Sequence, residues 1–275
     1  MAAPQLDPSA RSRTDGAEHS ASGVVLSGVG KTYASGGKLT RALRDVSLSL
    51  DEGELVSLIG ASGCGKSTLL RIVAGFEQAS EGRVVVRGKP VSRPGPDRGV
   101  VFQDYGLFPW LTVAANIAYG PRQRGVGRAE LEAIVDRFVR MVGLDHFRDR
   151  YPNELSGGMQ QRVAIARVLA NDPAVLLMDE PFGALDSLTR QTLQKELIGV
   201  WQELRPTGIL VTHSVEEAVF LSDRVVVMGG GPSQAVPGHI TKVVAIDLPH
   251  PRDATAPAFN DLERELLHAI HHPAA

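Results

Sequence analysis

The sequence predicts an α/β fold: a mostly parallel sheet with helices on its faces, an antiparallel β-subdomain at one edge and an inserted helical subdomain. Three observations support this. Short apolar runs at 174–178, 209–212 and 224–228 alternate with helical spacings at 188–204 and 215–221, the order of parallel strands joined by crossover helices. Two stretches that alternate apolar and polar residues, 24–33 and 42–50, flank the turn-forming Ser35-Gly36-Gly37 and read as an antiparallel hairpin. The stretch 106–157 is helical in pattern and interrupts the strand–helix alternation, so it reads as an insertion, with subdomain limits near 105 and 158.

Taken in order, residues 1–22 are rich in Ala, Ser, Pro and Arg without periodicity and are expected to form a disordered tail. The main domain is expected over 23–255, followed by a C-terminal helix and tail over 256–275. The run 54–60 is a short strand ending in glycine, and 67–75 has helical spacing. Further strands are expected at 83–87 and 99–102. Residues 129–142 place apolar side chains at i, i+3, i+4 and i+7, the pattern of an amphipathic helix, and 158–170 form another helix after a proline-containing loop. A last strand region falls at 238–248 and an amphipathic helix at 259–272. His268, His271 and His272 cluster on that helix, where a solvated helix end is expected ahead of a metal site because no further Cys or acidic ligand converges on them.

With 275 residues the chain can bury one large core. Its formal net charge of -2 gives no electrostatic case for nucleic acid or an anionic lipid surface. The single cysteine, Cys64, excludes an internal disulfide framework and fits a reducing compartment. The first residues lack the apolar run of a secretory signal, and no stretch approaches the roughly 20 apolar residues that span a bilayer. The expectation is a soluble protein whose membrane role, if any, comes through partners.

Two motifs define the chemistry. Gly60-Ala61-Ser62-Gly63-Cys64-Gly65-Lys66-Ser67-Thr68 matches G-x-x-x-x-G-K-[ST], placed between a strand and a helix. Glycines let the backbone curl until several N–H groups point at one anion, and a helix N-terminus adds its positive dipole end. Lys66 supplies a full charge to the β- and γ-phosphates, and the Ser67 hydroxyl can ligate Mg²⁺. Cys64 reads as a small side chain in a tight loop. The second motif, 174–180, is an apolar strand ending in Asp179-Glu180. Alone, such a pair is more often a solvated strand end. Downstream of a phosphate loop, Asp179 can hold Mg²⁺ while Glu180 orients and deprotonates the attacking water. Together they predict a P-loop NTPase core.

A third motif narrows the class. Leu155-Ser156-Gly157-Gly158-Met159-Gln160-Gln161-Arg162 opens a helix and resembles the ABC ATPase signature, LSGGQ, with Met159 in its last place. Ser156 and the glycine N–H groups at a helix N-terminus form a second anion site. Other elements of that family follow in its order: Gln103 resembles the Q-loop glutamine that reaches Mg²⁺ and water, Gly183-Ala184-Leu185-Asp186 the D-loop, and His213 the switch histidine. Tyr33 holds the position of the aromatic that stacks on adenine. One departure is Ser214, where many family members carry Asp. The resemblance spans about residues 24–228 and implies the ABC ATPase fold, ATP and Mg²⁺ as ligands, and a head-to-tail dimer. In such a dimer each ATP lies between one copy's Lys66 loop and the other's Ser156 loop. It also implies transmembrane permease subunits, a periplasmic or lipid-anchored substrate-binding protein reached through them, and a peripheral position on the cytoplasmic face of the cell membrane.

Tyr105, Leu107, Phe108 and Trp110 follow Gln103 and form an exposed-looking cluster suited to a permease interface, the alternative being that they pack inside the helical subdomain, Leu107 above all. The run Phe108-Pro109-Trp110-Leu111-Thr112, the sequence Thr212-His213-Ser214 with Glu216-Glu217, and Pro249-His250-Pro251-Arg252 resemble the nitrate, sulfonate and taurine importer group. An importer of such a small oxyanion is the expected role. ATPase subunits for another nutrient or for an exporter are the nearest alternatives. DNA-repair and translation relatives fit less well, because sustained heptads and a second motif set do not occur.

Overall fold

The computed structural model describes residues 22–231 and 234–272; the expected tail lies outside these, apart from Ser22, which opens the first strand. β1 (Ser22–Ser35) and β2 (Lys38–Asp51) form the antiparallel hairpin, with Ser35 opposite Lys38 across the Gly36-Gly37 turn. Val24, Leu26 and Val29 of β1 and Leu43, Val46, Leu48 and Leu50 of β2 are buried, so one face of the hairpin lies on the core. β3 (Leu55–Gly60) leads into α1 (Lys66–Ala74). β4 (Glu81–Val86) and the two-residue β5 (Lys89–Pro90) extend the hairpin antiparallel on its far side, so the strand expected at 83–87 belongs to this layer.

The remaining strands build the parallel core. β6 (Arg98–Val101) is followed by α2 (Val113–Gln123), α3 (Arg128–Met141) and α4 (Gly157–Leu169), then β7 (Val175–Asp179), α5 (Ser187–Leu204), β8 (Thr207–Val211), α6 (Val215–Leu221) and β9 (Arg224–Gly231). The order β9-β3-β8-β7-β6 is parallel throughout. β10 (Val236–Ala245) runs antiparallel to β9 and meets β2 at the pair Gly238 and Leu43, joining the two layers into one ten-stranded sheet among the described residues. A Cβ on Gly238 would lie 1.9 Å from the Cys64 carbonyl oxygen, so this junction admits only glycine.

The sheet divides the interior in two. On β7, Leu176 and Met178 point into a core shared with α2–α7, whereas Val175 and Leu177 point into one shared with α1 and the hairpin. Strands covered on both faces need unbroken apolar runs, which is why 175–178 and 209–211 lack alternation. In the insertion, Thr112 caps α2 by accepting a 3.2 Å hydrogen bond from the Ala115 N–H. Buried Asn116 accepts from the Phe108 N–H at 3.0 Å and donates to the carbonyls of Phe108, Leu111 and Thr112. One side chain thereby fixes the loop that carries Trp110.

After β10 the chain crosses the molecule to α7 (Pro257–His271), which packs on α6 and β9. Arg252 anchors the crossing. Its guanidinium is buried and donates to the carbonyls of Val219, Ser222, Leu248 and Ile246 at 2.6, 2.7, 3.0 and 3.3 Å. Two of those carbonyls end α6, where a cation also meets the negative end of the helix dipole. Arg252→Ala leaves buried carbonyls unpaired and is expected to cost about 3 kcal/mol, at roughly 1–3 kcal/mol for each stranded group that stays dry. A urea titration of the two proteins measures it, and an unchanged midpoint would contradict this role.

Candidate functional site

The phosphate loop starts where β3 stops. Gly60 and Gly65 adopt φ values of 147° and 99°, and a Cβ on Gly60 would sit 2.2 Å from the Met228 carbonyl oxygen. The loop can therefore curl tightly against β9. Ala61, Ser62 and Gly63 are exposed, while Cys64 is buried beneath the loop with its thiol pushed up by burial, as a structural cysteine is. Lys66, the first residue of α1, is buried and donates from Nζ to the carbonyls of Gly60 at 2.8 Å and Ala61 at 3.1 Å. Its ammonium is thus held across the mouth of the loop.

The neighbouring strands deliver acids and a histidine to the same edge. Ser67 Oγ donates to Asp179 Oδ1 at 3.1 Å. Burial raises the Asp179 pKa, and the Ser67 hydrogen bond opposes it. Two hard oxygens converging in a partly dry site are a fitting donor set for Mg²⁺. Glu180 leaves β7 with φ 49°, a left-handed conformation that costs an L-residue about 1–2 kcal/mol and is held here by its N–H donating to the Val211 carbonyl at 2.9 Å. That turn sets Glu180 Oε1 2.6 Å from His213 Nε2. Lys66, Ser67, Thr68, Glu180 and His213, with Ser62, Gly63 and Gly65, line one cleft of about 250 Å³. Ala42, on β2, lines it too; nothing in its sequence neighbourhood marks that position.

Tyr33 lies near the end of β1, in a strand and not in a loop-like stretch. Its hydroxyl is hydrogen bonded to Glu77, and Lys31 Nζ stands 4.9 Å from its ring centroid. Burial, then the Glu77 bond, raises its pKa, and Thr68 on the phosphate-loop helix opposes the rise. Gln103 is exposed just past β6, and a Cβ on Gly183 would lie 3.5 Å from its Nε2, so it borders the turn after Glu180. Asp186 caps α5, accepting a 3.0 Å hydrogen bond from the Thr189 N–H; the Thr189 hydroxyl first, and then this N–H, hold its carboxyl below the usual range.

Ser156, Gly157 and Gly158 open α4, with Ser156 Oγ accepting from the Met159 N–H at 3.3 Å. None of the three lines the cleft around Lys66. The aromatic loop is only partly exposed: Trp110 is 70% accessible, but Tyr105 and Leu107 pack against the core. Phe108 packs against Tyr119 with the rings tilted at 47° and 4.5 Å between centroids, and lies under the Arg167 guanidinium. The expected four-residue exposed cluster is therefore corrected to Trp110, with Phe102 and Tyr119, which sequence spacing had not placed together.

A strand–glycine loop–helix unit with acids at the ends of adjacent parallel strands defines a P-loop nucleotide-binding protein. The family model described as "ABC transporter" matches residues 43–183, and the chain belongs to that family as an ATP-hydrolysing subunit. An uncharacterised ABC transporter ATP-binding protein of Methanocaldococcus jannaschii is 50% identical, over 87% of this chain and 88% of that protein. The nitrate import ATP-binding protein NrtD of Synechococcus elongatus is 44% identical, over 88% of this chain and 89% of its own length. The bicarbonate transport ATP-binding protein CmpC of the same organism is 45% identical over 90% of this chain, which spans 38% of that longer protein. Among solved structures, a dimeric post-hydrolysis ATP-binding cassette bound to ADP and Pi superposes with a TM-score of 0.68 at 32% identity, covering 82% of this chain and 99% of that one. CbiO1 of Clostridium perfringens, part of an ABC transporter complex, superposes at 0.74 with 26% identity, over 92% and 96%. In the described residues no helix is long and apolar enough to cross a membrane.

The raised Asp179 pKa has a measurable sign. A carboxyl whose folded pKa exceeds its unfolded one weakens the fold as pH rises through that window. Without divalent cation, Asp179→Asn should be more stable than the parent chain at pH 7, with the advantage vanishing as acid protonates Asp179. Urea midpoints across the acid range test this, and a less stable variant at pH 7 would refute it.

Proposed function

We propose that the cleft binds ATP with Mg²⁺ and that hydrolysis by a head-to-tail pair of chains drives uptake of a small oxyanion through separate permease subunits. The observation that carries the reading is the convergence of Lys66, Ser67, Glu180 and His213 on one cleft, with Asp179 bonded to Ser67 at its floor. Lys66 and the loop N–H groups neutralise phosphate oxygens. Ser67 and Asp179 would hold Mg²⁺ with Gln103 at the border of the site, and the ion would supply further neutralisation of phosphate charge. Glu180 takes the proton of the attacking water. His213, bonded to Glu180, holds that carboxylate and faces the γ-phosphate. Tyr33 offers a ring for the adenine.

A second chain completes the site. Exposed Ser156 and half-buried Gly157, with Gly158 behind them, open a helix N-terminus away from their own cleft, which suits it to the nucleotide of a partner, with Asp186 at the seam. The permease would dock at the groove between β6 and the helical insertion. That groove, about 360 Å³ with Phe102, Phe108, Tyr119 and Arg167 in its walls, would bring the chain to the cytoplasmic face of the membrane. A substrate-binding protein would act through the permease. The nitrate and bicarbonate relatives support a small anion as cargo.

Glu180→Gln keeps the shape of the site but removes the base. It is expected to bind ATP normally, to lose on the order of 10²–10³ in turnover, and to run as an ATP-dependent dimer on gel filtration. Adding Ser156→Arg to that variant should abolish the dimer without weakening ATP binding by the monomer. Normal turnover in the first variant, or an undiminished dimer in the second, defeats the reading.

The cargo is tested in the cell. Disrupting the gene should abolish growth on one of nitrate, taurine, a sulfonate or bicarbonate as limiting source, with rescue by the parent chain and not by Glu180→Gln. Normal uptake of every such anion, with loss of an uncharged nutrient, would leave the ATPase reading standing and remove the oxyanion.

A further inference from the structure

Behind the Glu180–His213 pair lies a second, smaller cavity of about 100 Å³, walled by Glu180, Arg190, Thr212, His213, Ser214 and Glu217. It holds an acid that the chemistry above leaves unused. Glu217, in the first turn of α6, is 4% exposed, yet carries a carboxylate in the interior. Desolvating that group is costly unless each oxygen is bonded, so its partners carry its meaning.

Those partners reach the two residues on either side of His213. Gln194 of α5, also buried, donates from Nε2 to Glu217 Oε1 at 2.9 Å. Burial pushes the Glu217 pKa up, and Thr212, in the same cavity wall, opposes the rise together with Gln194 by favouring the charged form. Thr212 Oγ1 in turn accepts the Ser214 N–H at 3.0 Å, and Ser214 Oγ accepts the Glu217 N–H at 3.1 Å. In an ordinary capping box the third helical residue would itself bond the cap N–H. Here Thr212 takes that N–H instead. His213 sits between the two linked residues, so its neighbours both face Glu217: Ser214 through the Glu217 N–H and Thr212 beside the carboxylate. The Thr212 N–H is anchored separately, on the Leu58 carbonyl of β3 at 3.2 Å.

We propose that Glu217 is a positioning residue for ATP hydrolysis: through Thr212 and Ser214 it holds the His213 loop where Nε2 reaches Glu180, and through Gln194 it ties that loop to α5, the helix that Asp186 caps. This rests on the catalytic reading of His213 and Glu180. Glu217 touches no substrate. It acts by removing alternative orientations of a short loop whose tip must meet Glu180 at 2.6 Å. A displacement of about 1 Å at such a contact can cost on the order of 100-fold in rate. An amide can replace the carboxylate, accepting from Gln194 and donating to Thr212 Oγ1, whereas a methyl group cannot.

The experiment is steady-state ATPase kinetics on the full chain with Mg²⁺ATP. Glu217→Ala and Thr212→Val are each expected to lower kcat about 10- to 100-fold with KM changed by less than about threefold, while Glu217→Gln stays within about threefold of the parent. In a His213→Ala background, Glu217→Ala should cost no more than about a further twofold, because both act through one contact. Unaltered kcat in Glu217→Ala with a lowered melting temperature would assign the carboxylate to folding alone and overturn the proposal. Losses that multiply in the double variant would overturn it equally. Should Glu217→Ala fail to fold, Thr212→Val and Gln194→Leu carry the same comparison with His213→Ala. Full activity in His213→Ala removes the catalytic reading and this inference together; an inactive His213→Ala beside a fully active Glu217→Ala removes the inference only.

Discussion

The site depends on one residue's backbone. Val211, the last residue of β8, stands in register with Leu58 on one side and with Asp179 on the other. Its carbonyl then accepts the Glu180 N–H, while the next N–H, that of Thr212, goes to the Leu58 carbonyl. Three strands that are far apart in sequence are thereby locked at the same height, just before each releases its functional residues. A slip of one residue in β8 would turn its side chains to the opposite core and carry His213 away from Glu180. The apolar side chains on both faces of 175–178 and 209–211 make that slip prohibitive, so packing in two cores sets the geometry of a polar site.

A second coupling runs through α4. Its N-terminus is capped by Ser156, and near its other end Arg167 donates to the Gly106 carbonyl at 2.6 Å and lies 5.2 Å from the Phe108 ring centroid. One rigid helix thus joins the glycine-rich loop to the aromatic loop after Gln103.

Much of this was readable in advance, for identifiable reasons. Lys66, Ser67, Asp179, Glu180 and His213 each follow an apolar strand or open a helix, and short-range pattern locates such residues well. The helix at 129–142 was evident from its i, i+3, i+4 spacing, and it is observed at Arg128–Met141. Residues that work across the chain were silent. Asn116 and Arg252 look like any surface polar residue, because their partners are backbone carbonyls that carry no sequence signal. Glu217 reads as an exposed helical acid until α5 is packed over it. The helix at 113–123 was not separable by periodicity, since Pro121 and Gly120 close its last turn. The exposure of Tyr105 and Leu107 was overestimated because a loop's inward side is set by the core it meets, not by its own composition.

The grip of Arg252 has a further consequence. Its bonded partners are four neutral carbonyls, and a guanidinium keeps its charge at every physiological pH. Neither added electrolyte nor mild acid weakens such a joint as it weakens the exposed Lys242–Glu265 pair between β10 and α7. The segment leading to the C-terminal helix is therefore riveted to the end of α6 in salt and in mild acid alike, a splint on the helix that starts two residues after His213.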